Sequence, residues 1–358
     1  MANIIHPNES QQIIDLIKVY TEAQQKLIKV IGQKHSRKSN VMYEKRILAQ
    51  TNDTLKQLIT DSRLWTNSNV PRQYKKAVNK AVNDYKAMGV KIEGFEAFSD
   101  IHNKEIDTLI RNTNNDFVTS SNFVGRSIRD NVRQISLDSI TQSRITGRNV
   151  RQVREDLIQT FIDNNVTSMR TKNGRKINLD SYASMVARST MTEVANQGVM
   201  KHLEANGKDL VIMSSHATTC PVCAPLQGRV YSISGNSKEY PPLDTAFSGV
   251  HANIHPNCRH VLRPYEPTKD TNRTRTKEFS NRSFDIDPRS NSQRINYDRE
   301  QKNNRKRNAD KKQWERYKIV MPSDTPKTLN GFRKSKKANS KKYQALKSKY
   351  ASLRLTQN

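Results

Sequence analysis

The chain has 358 residues, of which 34% are hydrophobic and 6% aromatic, and it sets 62 Lys or Arg against 34 Asp or Glu. The formal net charge of +28 argues for a polyanionic partner, most simply nucleic acid, with a basic solubilising tail as the plainer alternative. No run approaches the roughly 18 apolar residues of a membrane span, and three cysteines without a signal peptide argue against a disulfide scaffold and for a reducing compartment.

At the start of the chain, apolar residues recur at three-to-four spacing, which predicts helices. An Asn8 or Ser10 cap opens the first, with Ile13, Leu16, Ile17, Tyr20, Leu27, Ile28 and Ile31 on one face and Gly32 at its end. A second gathers Tyr43, Ile47, Leu55, Leu58, Ile59 and Trp65. Asn69-Val70-Pro71 is expected to break it and to start a third, carrying Tyr74, Val78, Val82 and Tyr85 up to Gly89. From about Ser99 a long stripe runs through Ile106, Leu109, Ile110, Phe117, Val124, Ile128, Val132 and Ile135. A further helix carries Val150, Val153, Leu157 and Phe161. Such length suits a bundle or a coiled-coil seam. Residues 1–163 therefore read as a helical region, an arm or a bundle, with both charge signs on its polar face.

Residues 164–267 change character. Asn173-Gly174 between two short runs is a hairpin signal. The stretch 181–207 reads as a helix with Tyr182, Met185, Val186, Val199 and Leu203 inward and Gly207 as its stop. Residues 209–214 and 229–233 read as strands, and the Pro241-Pro242 segment as a loop. Together these make a compact α+β module. From Glu266 onward, 26 Lys or Arg face 10 Asp or Glu, a net +16. Residues 268–310 lack apolar periodicity and are expected to be extended or disordered. Trp314, Tyr317, Ile319, Val320, Leu329 and Phe332, then Tyr343, Leu346, Tyr350 and Leu353, suggest that order returns near the end. Residues 268–358 thus form a basic tail with a short C-terminal helix. The fold class expected is mainly α with a small α+β module.

All three cysteines and four of the eight histidines lie between His216 and His260. Cys220 and Cys223 form a C-x-x-C knuckle, and Cys258 follows in His255-Pro256-Asn257-Cys258-Arg259-His260. Thiolates and imidazoles are the donors Zn²⁺ prefers in closed tetrahedral sites, and a two-residue spacer lets one turn aim two sulfurs at one ion. Cys220, Cys223, His255 and Cys258 make a Cys₃His set, with His260, His251 or His216 as substitutes in the fourth place. Two other readings stand beside structural zinc: reduced thiols buried as small apolar residues, and a redox pair, for which no thioredoxin-like pattern is present.

The run Ala187 to Asn196, then Cys220-Pro-Val-Cys223, Leu226-Gln-Gly228 and His255-Pro256-Asn257-Cys258-Arg259, resembles the minor capsid or head-morphogenesis proteins of tailed bacteriophages, in the form called phage minor capsid protein 2. The motif-bearing part covers roughly residues 165–265; the N-terminal helices, Pro326-x-x-Leu329-x-x-Phe332 and the final Lys-Tyr-x-x-Leu turn are similar more loosely. Two departures stand out. His260 occupies the place of a Cys found in many relatives, and three residues are inserted between Arg188 and Glu193 relative to the family's commoner Arg-Thr-Glu.

The resemblance implies a low-copy virion protein, made in the bacterial cytoplasm and placed inside the capsid near the portal, acting in head assembly and genome packaging or delivery. Portal and capsid proteins would be its partners. The basic tail, through Arg305, Lys306, Arg307, Lys311, Lys312, Arg333, Lys334, Lys336 and Lys337, would contact double-stranded DNA without reading sequence. Arg188 is expected to hydrogen-bond the backbone of the knuckle, with Glu193, Asn196, Gly228, Pro256 and Arg259 as companion motif residues. A non-enzymatic role is favoured, because no H-E-x-x-H or H-x-E…C-x-x-C arrangement is present and four ligands leave no place for a reactive water. A zinc-dependent nuclease or effector delivered with the genome, with Glu193 as general base, and a cellular nucleic-acid-binding protein are the alternatives.

Overall fold

A computed structural model describes residues 11–32, 40–146, 168–170, 176–247, 252–321 and 323–355. The expected helix carrying Val150 to Phe161, the Asn173-Gly174 turn and His251 lie outside them. The described helices are α1 (Gln11–Gly32), α2 (Asn40–Ala87), α3 (Ser99–Thr146), α4 (Leu179–Ala205), α5 (Arg273–Ser280), α6 (Asn291–Val320), α7 (Leu329–Lys337) and α8 (Lys341–Leu355). The strands are β1 (Ser168–Arg170), β2 (Lys176–Asn178), β3 (Leu210–Met213), β4 (Val230–Ser232) and β5 (Leu262–Pro264). The protein is thus mainly helical with a small three-stranded antiparallel sheet of order β4-β3-β5 and a separate antiparallel pair, β1-β2, in which Met169 faces Ile177. No helix among the described residues is long and apolar enough to cross a membrane.

By internal contacts the chain divides into two units, each drawn from separated stretches: 1–62, 116–184 and 302–358 in the first, 63–115 and 185–301 in the second. The sequence reading divides the chain in order, at 163/164 and 267/268.

In the first unit, Leu16, Tyr20 and Leu27 of α1 and Leu55 and Leu58 of α2 are buried, as their spacing predicts. Gly125 of α3 lies where a Cβ would come within 2.9 Å of Leu55 Cδ1, so two helices meet there at glycine distance. Tyr20 packs 6.0 Å from both Phe117 and Tyr182. Glu315 of α6 is buried and accepts from Gln24 at 3.1 Å and Asn178 at 3.2 Å, with Lys311 at 3.4 Å. Burial pushes the Glu315 carboxyl up and the Lys311 ammonium down. The end of the chain forms its own apolar cluster, Tyr317, Met321, Leu329, Phe332, Tyr343, Leu346 and Tyr350, which matches the aromatic spacing there.

In the second unit, β3 is central and α2 and α4 cover the sheet with Ala77, Ala81, Tyr85, Ala195, Val199 and Leu203. The structure departs from the sequence reading at Pro71 and over the stretch expected to be extended. Pro71 neither ends nor starts a helix: α2 runs through it. An internal proline costs about 3 kcal/mol, but Trp65, Val70, Tyr74 and Val78 on both sides are buried, at roughly 1.5–3 kcal/mol each. The chain at 273–280 and 291–310 is helical rather than extended or disordered. Residues 291–320 contain no Gly or Pro, and Ser290 and Gln293 close a reciprocal capping box, Gln293 N to Ser290 Oγ at 3.3 Å and Ser290 N to Gln293 Oε1 at 2.8 Å.

Candidate metal centre

The knuckle sits directly after β3. Met213 N donates to the Arg229 carbonyl and Gly228 N to that of Met213, both at 3.0 Å, so Cys220 and Cys223 occupy a loop whose two ends are tied together. Gly228 has φ +74°, and a Cβ there would stand 2.7 Å from Ser215 Oγ, which explains a glycine at this return. The 255–258 turn closes through Cys258 N to the His255 carbonyl, with Asn257 in the left-handed region at φ 66°.

Helix α4 fixes that second turn through one face. Ser189 Oγ accepts from Asn257 N at 3.0 Å, and Thr192 Oγ1 donates to the Cys258 carbonyl at 3.1 Å. Asn196, fully buried, donates to the carbonyls of Ala252 at 2.7 Å and His260 at 3.4 Å and accepts from Leu262 N at 2.9 Å. One side chain therefore ties the loop to both the helix and β5. Arg188 reaches the same turn, Nη1 donating to Asn257 Oδ1 at 3.3 Å. Asn196 and Gly228, singled out in the sequence, are brought to the centre; Pro256 and Arg259 are exposed beside it. Ser189, Thr192 and Gln227 were not foreseen. For Ser189 and Thr192 the signal is their three-to-four spacing with Asn196 along one face of the helix; Gln227 has no such signal.

The donors form two triads that share Cys223: Cys220, Cys223 and His255, and Cys223, Cys258 and His260, the ligand atoms of each lying within 4.8 Å of one another. His255 Nε2 is 3.2 Å from Cys220 Sγ and 3.0 Å from Cys223 Sγ. Cys223 and Cys258 sulfurs are 3.9 Å apart, and His260 Nδ1 is 3.6 Å from Cys258 Sγ. Tetrahedral zinc with ordinary bond lengths implies S···S of about 3.8 Å and S···N of about 3.5 Å. The remaining ring nitrogens are engaged: His255 Nδ1 lies 2.7 Å from the Pro256 carbonyl, and His260 Nε2 lies 3.1 Å from Gln227 Oε1. Both acceptors require an N–H, so with a metal bound His255 Nε2 and His260 Nδ1 would be the nitrogens free to turn a lone pair towards it. His216 sits edge-on to His260 at 4.6 Å and belongs to neither triad.

The electrostatics suit a cation. Hydrogen bonding to Cys223 holds the Cys220 thiol down near 4 and the Cys258 thiol near 3, while Cys223, buried between the two sulfurs, is pushed up. Its bond to Cys220 raises His255 to about 9. Three sulfurs with two imidazoles beside them are a group that could hold a metal ion, which would displace the protons left on Cys223 and His255.

The expected DNA-contacting residues divide. Arg305, Lys306, Lys312, Lys334 and Lys337 are exposed, and Arg307 is half-buried. Arg333 and Lys336 pair with the buried Asp310, at 3.2 and 2.7 Å. Lys311 is itself buried against Glu315, so it is withdrawn from the DNA-facing set: its ammonium is spent inside the core.

Residues 6–354 match the family described as phage minor capsid protein 2. A relative described as a structural protein, from Lactococcus phage LL-H, is 23% identical over 263 residues, covering 72% of this chain and 62% of its own length. The chain thus spans less than two thirds of that relative. No solved structure matches.

Proposed function

The chain belongs to the phage minor capsid protein 2 family, and from that membership we propose that it is a low-copy structural protein on the inner side of the phage head, beside the portal, acting in head assembly and in genome packaging or delivery. The observation that carries this reading is the family match across nearly the whole length. The description of the Lactococcus phage relative as a structural protein supports it. A net charge of +28 suits residence among packed phosphates. Exposed Arg305, Lys306, Lys312, Lys334 and Lys337 would meet double-stranded DNA through its backbone, without sequence readout.

Zinc is the ion that this donor set suits best. Cys220, Cys223 and Cys258 would hold it with His255, and His260 is the alternate fourth donor. Bound there, zinc would supply folding energy to a small module. With four protein ligands no position is left for a reactive water, which is our ground for a structural rather than an enzymatic role.

The test is gradient-purified virions of the phage, probed with an antibody to this chain before and after DNA release, with and without protease. The protein should be present, protected before release, and cross-linked to portal. Its absence from purified virions would overturn the reading.

A further inference from the structure

In the second unit, α2 turns a basic face outward. Between Arg72 and Asn83 the sequence holds four basic residues and no acidic one. Tyr74, Ala77, Val78, Ala81 and Val82 are buried. Helical geometry therefore directs Arg72, Lys75, Lys76, Asn79, Lys80 and Asn83 away from the core. All six are exposed and line one shallow groove. The face is rigidly held: Gly198 of α4 lies so close that a Cβ would stand 3.2 Å from the Tyr74 carbonyl, and the Tyr74 hydroxyl is 3.0 Å from His102 Nδ1 on α3.

Two acids border the face. Glu96 is 3.7 Å from Lys75, and Asp84 lies 3.1 Å from Lys80 and 3.2 Å from Arg263. Arg263 offsets Asp84, so the face stays positive. Lys76 has no acidic partner among the described residues.

We propose that Arg72, Lys75, Lys76 and Lys80, with the amides of Asn79 and Asn83, form a second contact surface for the phosphate backbone of double-stranded DNA. From Arg72 to Lys80 the helix rises about 12 Å, a length over which a duplex carries about seven phosphate charges. Each of the four cations can thus meet its own phosphate. The face lacks the apolar centre that protein-binding surfaces carry, and Lys, Arg and Asn are side chains that bind phosphate oxygens. Because α2 is already ordered, binding does not incur the backbone ordering that a flexible arm requires. The inference rests on the reading that this protein meets the packaged genome, but uses residues separate from the C-terminal ones.

The test is binding of the full chain to a short fluorescent duplex over a salt series. The variant Arg72→Gln/Lys75→Gln/Lys76→Gln/Lys80→Gln should reduce the slope of log affinity against log salt by about 3 to 4, at about 0.9 per phosphate lost, and Lys76→Gln alone by about 0.9. Circular dichroism verifies that each variant stays folded, and Arg305→Gln/Lys306→Gln/Lys312→Gln serves as the parallel arm for the C-terminal residues. An unchanged slope in the α2 variants with a reduced slope in the parallel arm overturns the second surface and leaves the C-terminal reading standing. An unchanged slope joined to lost affinity for an acidic polypeptide also overturns it, in favour of a protein partner. A wild-type chain that does not bind the duplex at low salt overturns both.

Discussion

At the scale of single residues, Asn196 carries more of the candidate centre than any cysteine neighbour. Its amide serves three backbone groups from two segments, and it is fully buried. Replacing it by Leu strands two buried carbonyls and one N–H, at about 1–3 kcal/mol for each unsatisfied group. Asn196→Leu should therefore lower the unfolding free energy by at least about 3 kcal/mol in denaturant titration, whereas exposed Arg259→Ala should stay within about 0.5 kcal/mol. Equal effects of the two would contradict the assignment. The candidate donors were legible in the sequence because thiols and imidazoles are scarce and clustered. Asn196 was legible only through family resemblance. Ser189, Thr192 and Gln227 stand within the motifs that carry the resemblance, but their roles were not legible: a hydroxyl or amide acquires its role from the loop that folds against it.

Among elements, α3 and α4 meet through two buried imidazoles. His102 and His202 stack with centroids 5.6 Å apart, and Phe95 stacks on His102 at 4.9 Å. Burial lowers both, His202 to about 4, with His102 adding to the effect and a bond to the Glu93 backbone opposing it. A histidine whose folded pKa lies below its unfolded value stabilises the fold fully above the unfolded pKa. That contribution is lost as pH falls towards the folded one. The melting temperature should therefore drop as pH falls from about 6.5 to about 4, and His202→Gln should flatten that part of the profile. A wild-type melting temperature constant across this window would contradict it. Helices α1, α3 and α4 were legible from apolar spacing, as were β3 and β4 from short apolar runs. The continuity of α2 was hidden because Pro71 is a strong local signal that flanking burial overrides. Strand β5 was hidden because Leu262–Pro264 is only three residues long and gains its partner from β3. Helix α6 was hidden because its first half has little to bury; its Ser290–Gln293 cap was the available sign.

On the scale of the whole molecule, charge and folding are distributed differently from the sequence picture. The basic end of the chain is not a passive tail. Asp310 gathers Arg333 and Lys336, Lys311 and Glu315 sit in a core, and five of the nine expected DNA-facing residues remain exposed. The division into two units, each discontinuous in sequence, was not readable from composition, because α2, α3, α4 and α6 each contribute to both. The clustering of cysteines and histidines in residues 216–260 does correspond to a spatial group of donors. The measurement that tests the account most directly is elemental analysis of the purified full chain beside Cys258→Ser, each followed by thermal melting. The account predicts about one zinc per chain, since Cys₃His makes one closed site, lost in the variant together with a lower melting temperature. A metal-free wild type that melts like Cys258→Ser would contradict it.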